Sequence, residues 1–355
     1  MIDIQNSKDT REISLQKVGI KDLKYPVRVL DKVNKFQQTT ANVNLFVNLP
    51  HNYKGTHMSR FIEIFHRNHN ELGMKNFLAM LEEIRQSLDA EKAYGSMTFP
   101  FFMTKRAPVS SSESIMNYVC TYEGEVQKIS ANTESAPLTS EVGGETENFS
   151  CASKIFGQTE NSLLSSKIPC ETEDISCASQ VSGETENFSA TSKIFGQTEN
   201  PLLFSKIPCE TKNSLSAKSE IKQKFFVKIQ IPITTLCPCS KAISKYGAHN
   251  QRGIVSVKLQ NKSFFWIEDV IELVENCASS GLYSILKRPD EKSVTEHAYE
   301  NPRFVEDIVR EVYMALKNFN KSEKPFTSFS VECENFESIH NHNAYAYAEY
   351  NLEKK

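Results

Sequence analysis

Long apolar runs are missing from this sequence of 355 residues, and none approaches the length of a membrane-spanning helix. The first residues, MIDIQNSKDTRE, also lack the basic and then apolar layout of a signal peptide. A large charge of either sign is missing too, because 41 basic and 44 acidic residues leave a formal net charge of -3. These absences predict a cytoplasmic protein whose partners include neither nucleic acid nor a membrane.

A regular cysteine framework is absent as well. The nine cysteines are an odd number, and four of them, Cys151, Cys170, Cys177 and Cys209, fall in a polar tract. This spacing is unlike the disulfide framework of a small secreted protein. We therefore expect reduced thiols, of which one or two take part in chemistry.

What the sequence does contain is a long internal repeat. GETENFSCASKIFGQTENSLLSSKIPCET begins at Gly144 and recurs with few changes from Gly183, a period of 39 residues. Both copies are rich in Ser, Thr, Glu and Asn without a sustained helical or strand period, so they cannot stack into a shared core. We predict that residues 129–219 form a duplicated, largely disordered low-complexity insertion, with a marginal two-hairpin subdomain as the alternative.

Hydrophobic periodicity on either side of this insertion gives two halves with a similar order of elements. In the second half, apolar residues alternate over FFVKIQIPI and IVSVKL, and apolar stripes mark WIEDVIELVENC and FVEDIVREVYMALKNF as helices. FTSFSVEC and HNHNAYAYAEY predict two further strands. The first half is similar, with an extended QQTTANVNLFVNLP, a helical NELGMKNFLAMLEEIRQSLDAEKA and two more strands. We predict an α+β chain of mostly antiparallel sheets, with an ordered unit at 1–128 and another at 220–355.

Candidate chemistry lies near the end of one predicted strand. Cys237 and Cys239 are two apart in TTLCPCSKAISKYGAHNQRG, and His249 follows ten residues after the second thiol. Cys-x-Cys is a weak metal signal alone, and two buried strand thiols are the plain alternative. His249 favours a working site. Without a second cysteine pair, a closed zinc knuckle of four cysteines is not expected.

Two histidines share one face of the last predicted strand. His340 and His342 alternate with polar residues, which would place their rings about 7 Å apart on the wall of a pocket. Imidazole serves as an acid, a base or a metal ligand, and the sequence leaves these roles open.

Carboxylates and cations supply further candidates. Glu291 falls in a predicted loop, and Glu306 falls in the first turn of a predicted helix, where a solvated surface charge is the alternative. LPHNYKGTHMSRF places cationic side chains after a strand, which suits phosphate oxygens, although the spacing of a P-loop is absent. The candidates for phosphate and substrate binding are Lys54, His57, Arg60, Lys241 and Arg252.

Several motifs together resemble a known family. LPHNYKGTHMSRF, ITTLCPCSKAISKYGAHNQRG, RPDEK with ENPRFVED, and CENFESIHNHNAYAY are similar, in this order, to motifs of the GTP cyclohydrolase IB family. The resemblance covers roughly residues 20–128 and 220–352. It implies two tandem tunnelling-fold modules per chain, each of order ββααββ, in a homotetramer with active sites at subunit interfaces. It also implies conversion of GTP to 7,8-dihydroneopterin triphosphate and formate, in the synthesis of pterins and folate.

The same resemblance implies a metal site. Cys237, His249 and Glu291 match the family's ligands to a divalent metal, for which zinc, iron and manganese are about equally suitable. Water activated by such a metal would attack C8 of guanine. The candidate catalytic thiols are Cys237 and Cys239.

Roles in recognition and proton transfer follow as well. Glu306 matches the glutamate that holds the guanine edge, and His340 and His342 match paired active-site histidines that would move protons. Two other functions fit part of the pattern. A nitrile reductase of deazapurine metabolism shares the fold but uses a nucleophilic cysteine and NADPH without metal. A purine- or pterin-binding protein without catalysis is the second, although such a protein has no need of the complete set of candidates.

Deletion of residues 129–219, with the flanking strands joined by a short Gly/Ser linker, is expected to leave folding and turnover nearly unchanged. The reason is that polar repeats contribute little to a core. Sedimentation and activity assays of the full chain and the deletion variant check this. Loss of the soluble oligomer in the deletion variant would show that the repeats are structural.

Overall fold

A computed structural model describes residues 5, 7–129, 220–319 and 325–352 of the chain. These residues form a mixed α/β structure in which helices pack on an antiparallel sheet. The coarse prediction of an α+β chain with antiparallel sheets is therefore confirmed.

The first half contributes four long strands and two helices. In chain order they are β1 (Leu15–Asp31), β2 (Lys35–Leu49), α1 (Met58–Asn68), α2 (Met74–Ser87), β3 (Lys92–Arg106) and β4 (Glu113–Ile129). Buried and partly exposed residues alternate along β2 and β3, as expected for strands with one face on a core. The predicted strands and helix of this half are present, and β1 and α1 are additional elements.

The second half has more numerous and shorter elements. They are β5 (Glu220–Leu236), α3 (Pro238–Ile243), β6 (Asn250–Asn261), α4 (Ile267–Cys277), β7 (Ser280–Gly281), α5 (Arg288–Glu300), α6 (Val305–Lys317), β8 (Phe326–Asn335) and β9 (Ala344–Asn351). Both helices predicted from apolar stripes are present as α4 and α6, and the stripe residues Ile271, Val274 and Val312 are fully buried. No helix in the described part of the chain has the length and apolar character needed to cross a bilayer.

Both halves belong to one sheet with the strand order β1-β2-β3-β4-β5-β6-β8-β9, and β7 pairs with β5. The halves meet where β4 pairs with β5, in register from Val119 opposite Gln230 to Ile129 opposite Glu220. Apart from its first residue, the predicted insertion at 129–219 lies outside the described residues, so its nature stays a prediction.

Cross-strand register places the apolar side chains of the long strands on a single face of the sheet. Gly95 and Gly124 lie directly opposite each other on β3 and β4. A Cβ atom at either position would come within 2.7 Å of the Leu81 side chain on α2. The glycine pair therefore lets α2 lie close to the sheet, and α1, α4 and α6 cover the same apolar face.

The strand predicted over HNHNAYAYAEY starts later than expected. β9 begins at Ala344, opposite Asn335, so His340 and His342 lie in the loop between β8 and β9. After Asn335 the N–H of Phe336 donates to the carbonyl of Arg252 at 2.9 Å, which extends the pairing of β8 with β6 by one residue. β9 starts at Ala344 because β8, its partner strand, ends directly opposite at Asn335.

The loop predicted around Glu291 is also wrong, because Glu291 lies in the first turn of α5. Pro289 is among the first residues of this helix, where its missing N–H leaves no intrahelical hydrogen bond unmade. Asp290 accepts from the backbone N–H of Lys287 at 2.9 Å and caps the helix. Proline here begins a helix instead of marking a loop.

Asp290 also joins the two halves of the chain. Its carboxylate is fully buried and accepts hydrogen bonds from the N–H groups of Val109 (2.9 Å) and Ser110 (2.7 Å), in the turn between β3 and β4. The hydroxyl of Ser110 donates to it at 2.6 Å. Burial raises the pKa of Asp290, but the hydrogen bonds from Ser110, Lys287 and Val109 outweigh burial and hold the pKa well below its usual range.

Asp290→Ala is expected to lower the midpoint of thermal unfolding by several degrees at neutral pH, because four donors lose their acceptor. The depressed pKa means that this stabilisation is present above the unfolded pKa of about 3.9 and is lost as the pH falls towards the folded pKa. The two proteins should therefore converge in acid. Glu296→Gln, on an exposed part of the same helix, is the control and should change little. Equal midpoints at neutral pH would contradict this role.

Candidate active site

A cavity of about 330 Å³ lies at the end of the sheet where β5 ends and β6 begins. Four separate segments line it: the turn after β5, the start of β6, the start of α6 and the loop between β8 and β9. The predicted site residues that line this cavity are Cys237, Cys239, His249, Glu306, His340 and His342.

Backbone hydrogen bonds shape the turn that carries the two thiols. Cys237 is the N-cap of α3, and its Sγ accepts from the N–H of Ser240 at 3.5 Å. The hydroxyl of Ser240 donates to the Cys237 carbonyl at 3.1 Å and accepts from the N–H of His249 at 3.2 Å. The N–H of Cys237 in turn donates to the His249 carbonyl at 3.1 Å. These bonds hold the half-buried Cys237 beside His249, with Cys239 more exposed.

The other described cysteines are in a different environment. Cys120, Cys277 and Cys333 are buried, and all five cysteines of the described chain are free thiols, as predicted for these positions. Burial raises the pKa of Cys277 to about 11 and that of Cys333 to about 12. Both therefore stay protonated near neutral pH, which leaves the chemistry to the thiols that reach the cavity.

A short chain of hydrogen bonds fixes the imidazole of His249. Its Nδ1 lies 3.1 Å from Oε1 of Gln251 and 3.2 Å from Oγ of Ser338. The amide Nε2 of Gln251 donates to Oγ1 of Thr235 at 3.0 Å. Both Gln251 and Thr235 are buried. Because an amide oxygen only accepts, Nδ1 of His249 is the donor of this pair.

The start of α6 is tied to the end of β5. The N–H of Arg303 donates to the carbonyl of Leu236 at 3.0 Å, and the N–H of Phe304 donates to Oδ2 of Asp307 at 3.0 Å. Glu306 lies in the first turn of α6, as predicted, and its side chain is exposed at the cavity. A free carboxylate at this position is available to a ligand.

The loop between β8 and β9 brings in the paired histidines. The rings of His340 and His342 stack with centroids 5.1 Å apart and an angle of 18° between their planes, closer than expected for alternate strand positions. Gly253 on β6 allows the end of β8 to approach, because a Cβ there would lie 2.5 Å from Oδ1 of Asn335. The loop therefore starts from a tightly packed strand end.

Sequence reasoning missed several residues of the cavity wall, namely Gln251, Arg303, Asn335 and Glu337. Glu337 had a usable signal, since it stands three residues before His340 in a polar run. Gln251 is a polar residue at an inward position of a strand whose other inward residues are apolar, which is also a readable signal.

The remaining predicted site residues do not line this cavity within the described part of the chain. Glu291 is exposed on α5. Nζ of Lys241 donates to the carbonyl of Tyr299 and lies 4.4 Å from the centroid of that ring. Arg252 is exposed on β6. Nη1 of Arg60 donates to the carbonyl of Ser87 at 2.9 Å.

Topology explains the position of the cluster that contains Lys54, His57 and Arg60. β2 and β6 run in the same direction, since three antiparallel strands separate them. The cluster follows the end of β2, whereas the cavity lies at the start of β6. The two groups therefore lie at opposite ends of the sheet.

The donor set fits part of a metal site. A thiol and an imidazole on one cavity are a suitable pair for zinc and other divalent transition metals. Among the described residues, no three His, Cys, Asp or Glu side chains lie close enough together to hold a metal ion. One chain therefore brings Cys237 and His249 together, without Glu291.

A cavity that combines thiols, imidazoles and a free carboxylate at the end of a sheet is typical of an enzyme that performs acid–base chemistry. A profile of the type I GTP cyclohydrolase folE2 family matches residues 1–160 and 170–346, and the chain belongs to this family. The resemblance found in the motifs is confirmed.

Individual relatives align over nearly the whole chain. The GTP cyclohydrolase FolE2 of Syntrophus aciditrophicus (strain SB) is 40% identical, with 98% of this chain and 99% of the relative covered. That of Geobacter sulfurreducens is 38% identical, with 100% of both covered. Among solved structures, urate oxidase from Bacillus subtilis 168 aligns with 96% of this chain and 100% of its own at 6% identity. Its TM-score is 0.42.

Proposed function

We propose that this chain is a GTP cyclohydrolase that opens the imidazole ring of the guanine base, releases formate and yields 7,8-dihydroneopterin triphosphate in the cytoplasm. The observation that carries this proposal is the single cavity that unites Cys237, His249, Glu306, His340 and His342 from four segments. Full-length relatives that bear the name of this activity support it.

Recognition of guanine is assigned to Glu306. Its carboxylate, at the start of α6, accepts hydrogen bonds from N1–H and the 2-amino group of guanine, and adenine has neither donor at these positions. The exposed side chain reaches the cavity. Glu306 thus selects the base.

Proton transfer is assigned to His340 and His342. Hydrolysis at C8 breaks both bonds from that carbon to nitrogen, so formate leaves and the two nitrogens must gain protons. The stacked rings, 5.1 Å apart, reach the same cavity as Glu306. Imidazoles at this separation can deliver protons to neighbouring atoms of one bound base.

A divalent cation is the proposed cofactor, with zinc, iron and manganese as candidates. Cys237 and His249 would hold it, and Glu291, which does not line the cavity of a single chain, is the proposed third ligand. Such a cation supplies Lewis-acid chemistry that makes water a nucleophile near neutral pH. The chain's own contribution is to keep thiol and imidazole side by side through the Cys237–His249 backbone bond.

We further propose that two tunnelling-fold modules, 1–128 and 220–355, flank the insertion, and that four copies of the chain assemble with sites at their interfaces. Two observations support this assembly. The basic cluster around Arg60 lies at the opposite end of the sheet from the cavity, so a second copy would have to supply such charges. In addition, β1 and β9 each have one edge without a partner strand among the described residues, and such edges favour pairing between chains.

Incubation of the full chain with GTP tests the activity directly. Formate release and pterin fluorescence should appear together, should need added divalent metal after chelation, and should be absent with ATP. A protein that binds GTP without releasing formate would contradict the proposal and favour a purine-binding role.

Glu306→Gln is expected to raise the KM for GTP roughly 10-fold or more with bound metal unchanged. The amide presents a donor where guanine needs an acceptor, and an unpaired buried donor costs about 1 to 3 kcal/mol. Steady-state kinetics and metal analysis check this, with the exposed Glu300→Gln on α5 as the control. Unchanged kinetics would indicate that Glu306 is a solvated surface residue without a role in binding guanine.

Cys237→Ala is expected to lose metal and activity together, because the thiolate is the proposed ligand. Metal affinity of the wild type should also fall as the pH drops, since ligation needs a deprotonated sulfur. Metal analysis of Cys237→Ala and Cys239→Ala separates the two thiols, and mass spectrometry of the wild type with GTP looks for a covalent adduct. An inactive Cys237→Ala with full metal content would shift the ligand role towards Cys239, and an adduct would indicate a nucleophile.

A further inference from the structure

A short chain of hydrogen bonds leads from Thr235 through Gln251 to the imidazole of His249. Thr235 and Gln251 lie directly opposite each other on β5 and β6, so their side chains share one face of the sheet. Thr235 is fully buried and Gln251 is 7% exposed. A buried polar pair of this kind is costly unless every group finds a partner.

Each group in this pair does find one. The amide Nε2 of Gln251 donates to Oγ1 of Thr235 at 3.0 Å, and Oε1 faces Nδ1 of His249 at 3.1 Å. In this orientation of the amide the nitrogen lies on Thr235 and the oxygen lies on the opposite side. Its oxygen is therefore presented to His249.

A neutral imidazole carries one proton, on either nitrogen, and a partner at one nitrogen decides which. The amide oxygen of Gln251 can only accept, so the proton lies on Nδ1 and the lone pair stays on Nε2 of His249. The hydroxyl of Ser338 lies 3.2 Å from the same Nδ1. It does not determine the tautomer of His249, because a hydroxyl both donates and accepts. Ser338 is also exposed on the loop between β8 and β9.

We propose that Gln251, anchored by Thr235, is a positioning residue that keeps Nε2 of His249 unprotonated and available to a divalent cation. This inference rests on the proposed function, in which His249 is a metal ligand. Partners behind a ligating histidine commonly set its tautomer and orientation, and their loss lowers metal affinity by about 10- to 100-fold.

Three variants of the full chain test the proposal. Gln251→Met keeps the length of the side chain and removes the acceptor. Gln251→Glu restores an acceptor, and the hydroxyl of Thr235 can donate to it. Gln260→Met is the matched control, because Gln260 lies on the same strand and its Oε1 accepts from Oγ of Ser328 at 2.9 Å, away from the cavity.

The first measurement is the ring tautomer of His249 in metal-free protein, by NMR of chains labelled with ¹⁵N-histidine. The chain has eight histidines, and a His249→Gln variant assigns the signal. Wild type, Gln251→Glu and Gln260→Met should show the proton on Nδ1, whereas Gln251→Met should populate both tautomers. Thr235→Val removes the acceptor of the Gln251 amide nitrogen and should also populate both tautomers. This variant provides the test if Gln251→Met fails to fold.

The second measurement is the affinity for Zn²⁺ alone, by competition with a chelator. Gln251→Met should bind about 10- to 100-fold more weakly than wild type, with Gln251→Glu and Gln260→Met within a few-fold of it. Wild-type tautomer and affinity in both Gln251→Met and Thr235→Val would overturn the proposal. A wild type that keeps the Nδ1–H tautomer but binds no Zn²⁺ would instead count against His249 as a metal ligand, and so against the proposed function.

Discussion

The register between β5 and β6 is the constraint on which the site depends. Leu236 opposite Asn250 is the last pair of this ladder, and the bond from Cys237 N–H to the His249 carbonyl extends it by one step. A slip of one residue would turn Gln251 to the other face of the sheet and separate it from His249. The buried apolar residues Val255, Val257 and Leu259 of β6 oppose that slip, because the same shift would expose them to solvent.

Other segments reach the cavity by attaching to this hairpin. The start of α6 is bound to the carbonyl of Leu236 through Arg303, and the loop after β8 is bound to the carbonyl of Arg252 through Phe336. Glu306, His340 and His342 are all exposed, so burial of their side chains does not position them. Backbone hydrogen bonds to β5 and β6 do so instead, which leaves the functional groups free to meet a ligand.

Much of this arrangement could be predicted from the sequence. Strands with a core face alternate strictly, and α4 and α6 have apolar stripes, so both kinds of element are visible in hydrophobic periodicity. The position of His340 and His342 could not be predicted in the same way. The alternation in HNHNAYAYAEY continues through them, whereas β9 starts at Ala344 because its partner β8 ends directly opposite at Asn335. The end of the partner strand is a feature of the tertiary structure that local periodicity does not contain.

The local pattern around Glu291, a proline beside two acidic residues, fits two different structures. Such a pattern predicts a loop as readily as the start of a helix. The helix forms where the Asp290 carboxylate caps its first turn. Asp290 does cap it, and the same buried carboxylate binds the turn between β3 and β4. The capping pattern lies within four residues, whereas the bond to the distant turn is not visible in any local pattern.

The separation of the basic cluster from the cavity limits what one chain can do. β6 alone has 12 residues, which at about 3.3 Å per residue makes it roughly 40 Å long. A nucleoside triphosphate is much shorter, so a molecule whose base lies against Glu306 cannot reach Arg60 of the same chain. If the cluster binds phosphate groups, it must do so for a site on another copy.

Arg303 is the one arginine or lysine that the described chain itself contributes to the cavity wall. Its pairing with Glu311 at 3.4 Å leaves little free positive charge there. In the proposed assembly, a second chain would supply the further cations that a substrate with several negative charges needs, and the complete site would form between subunits.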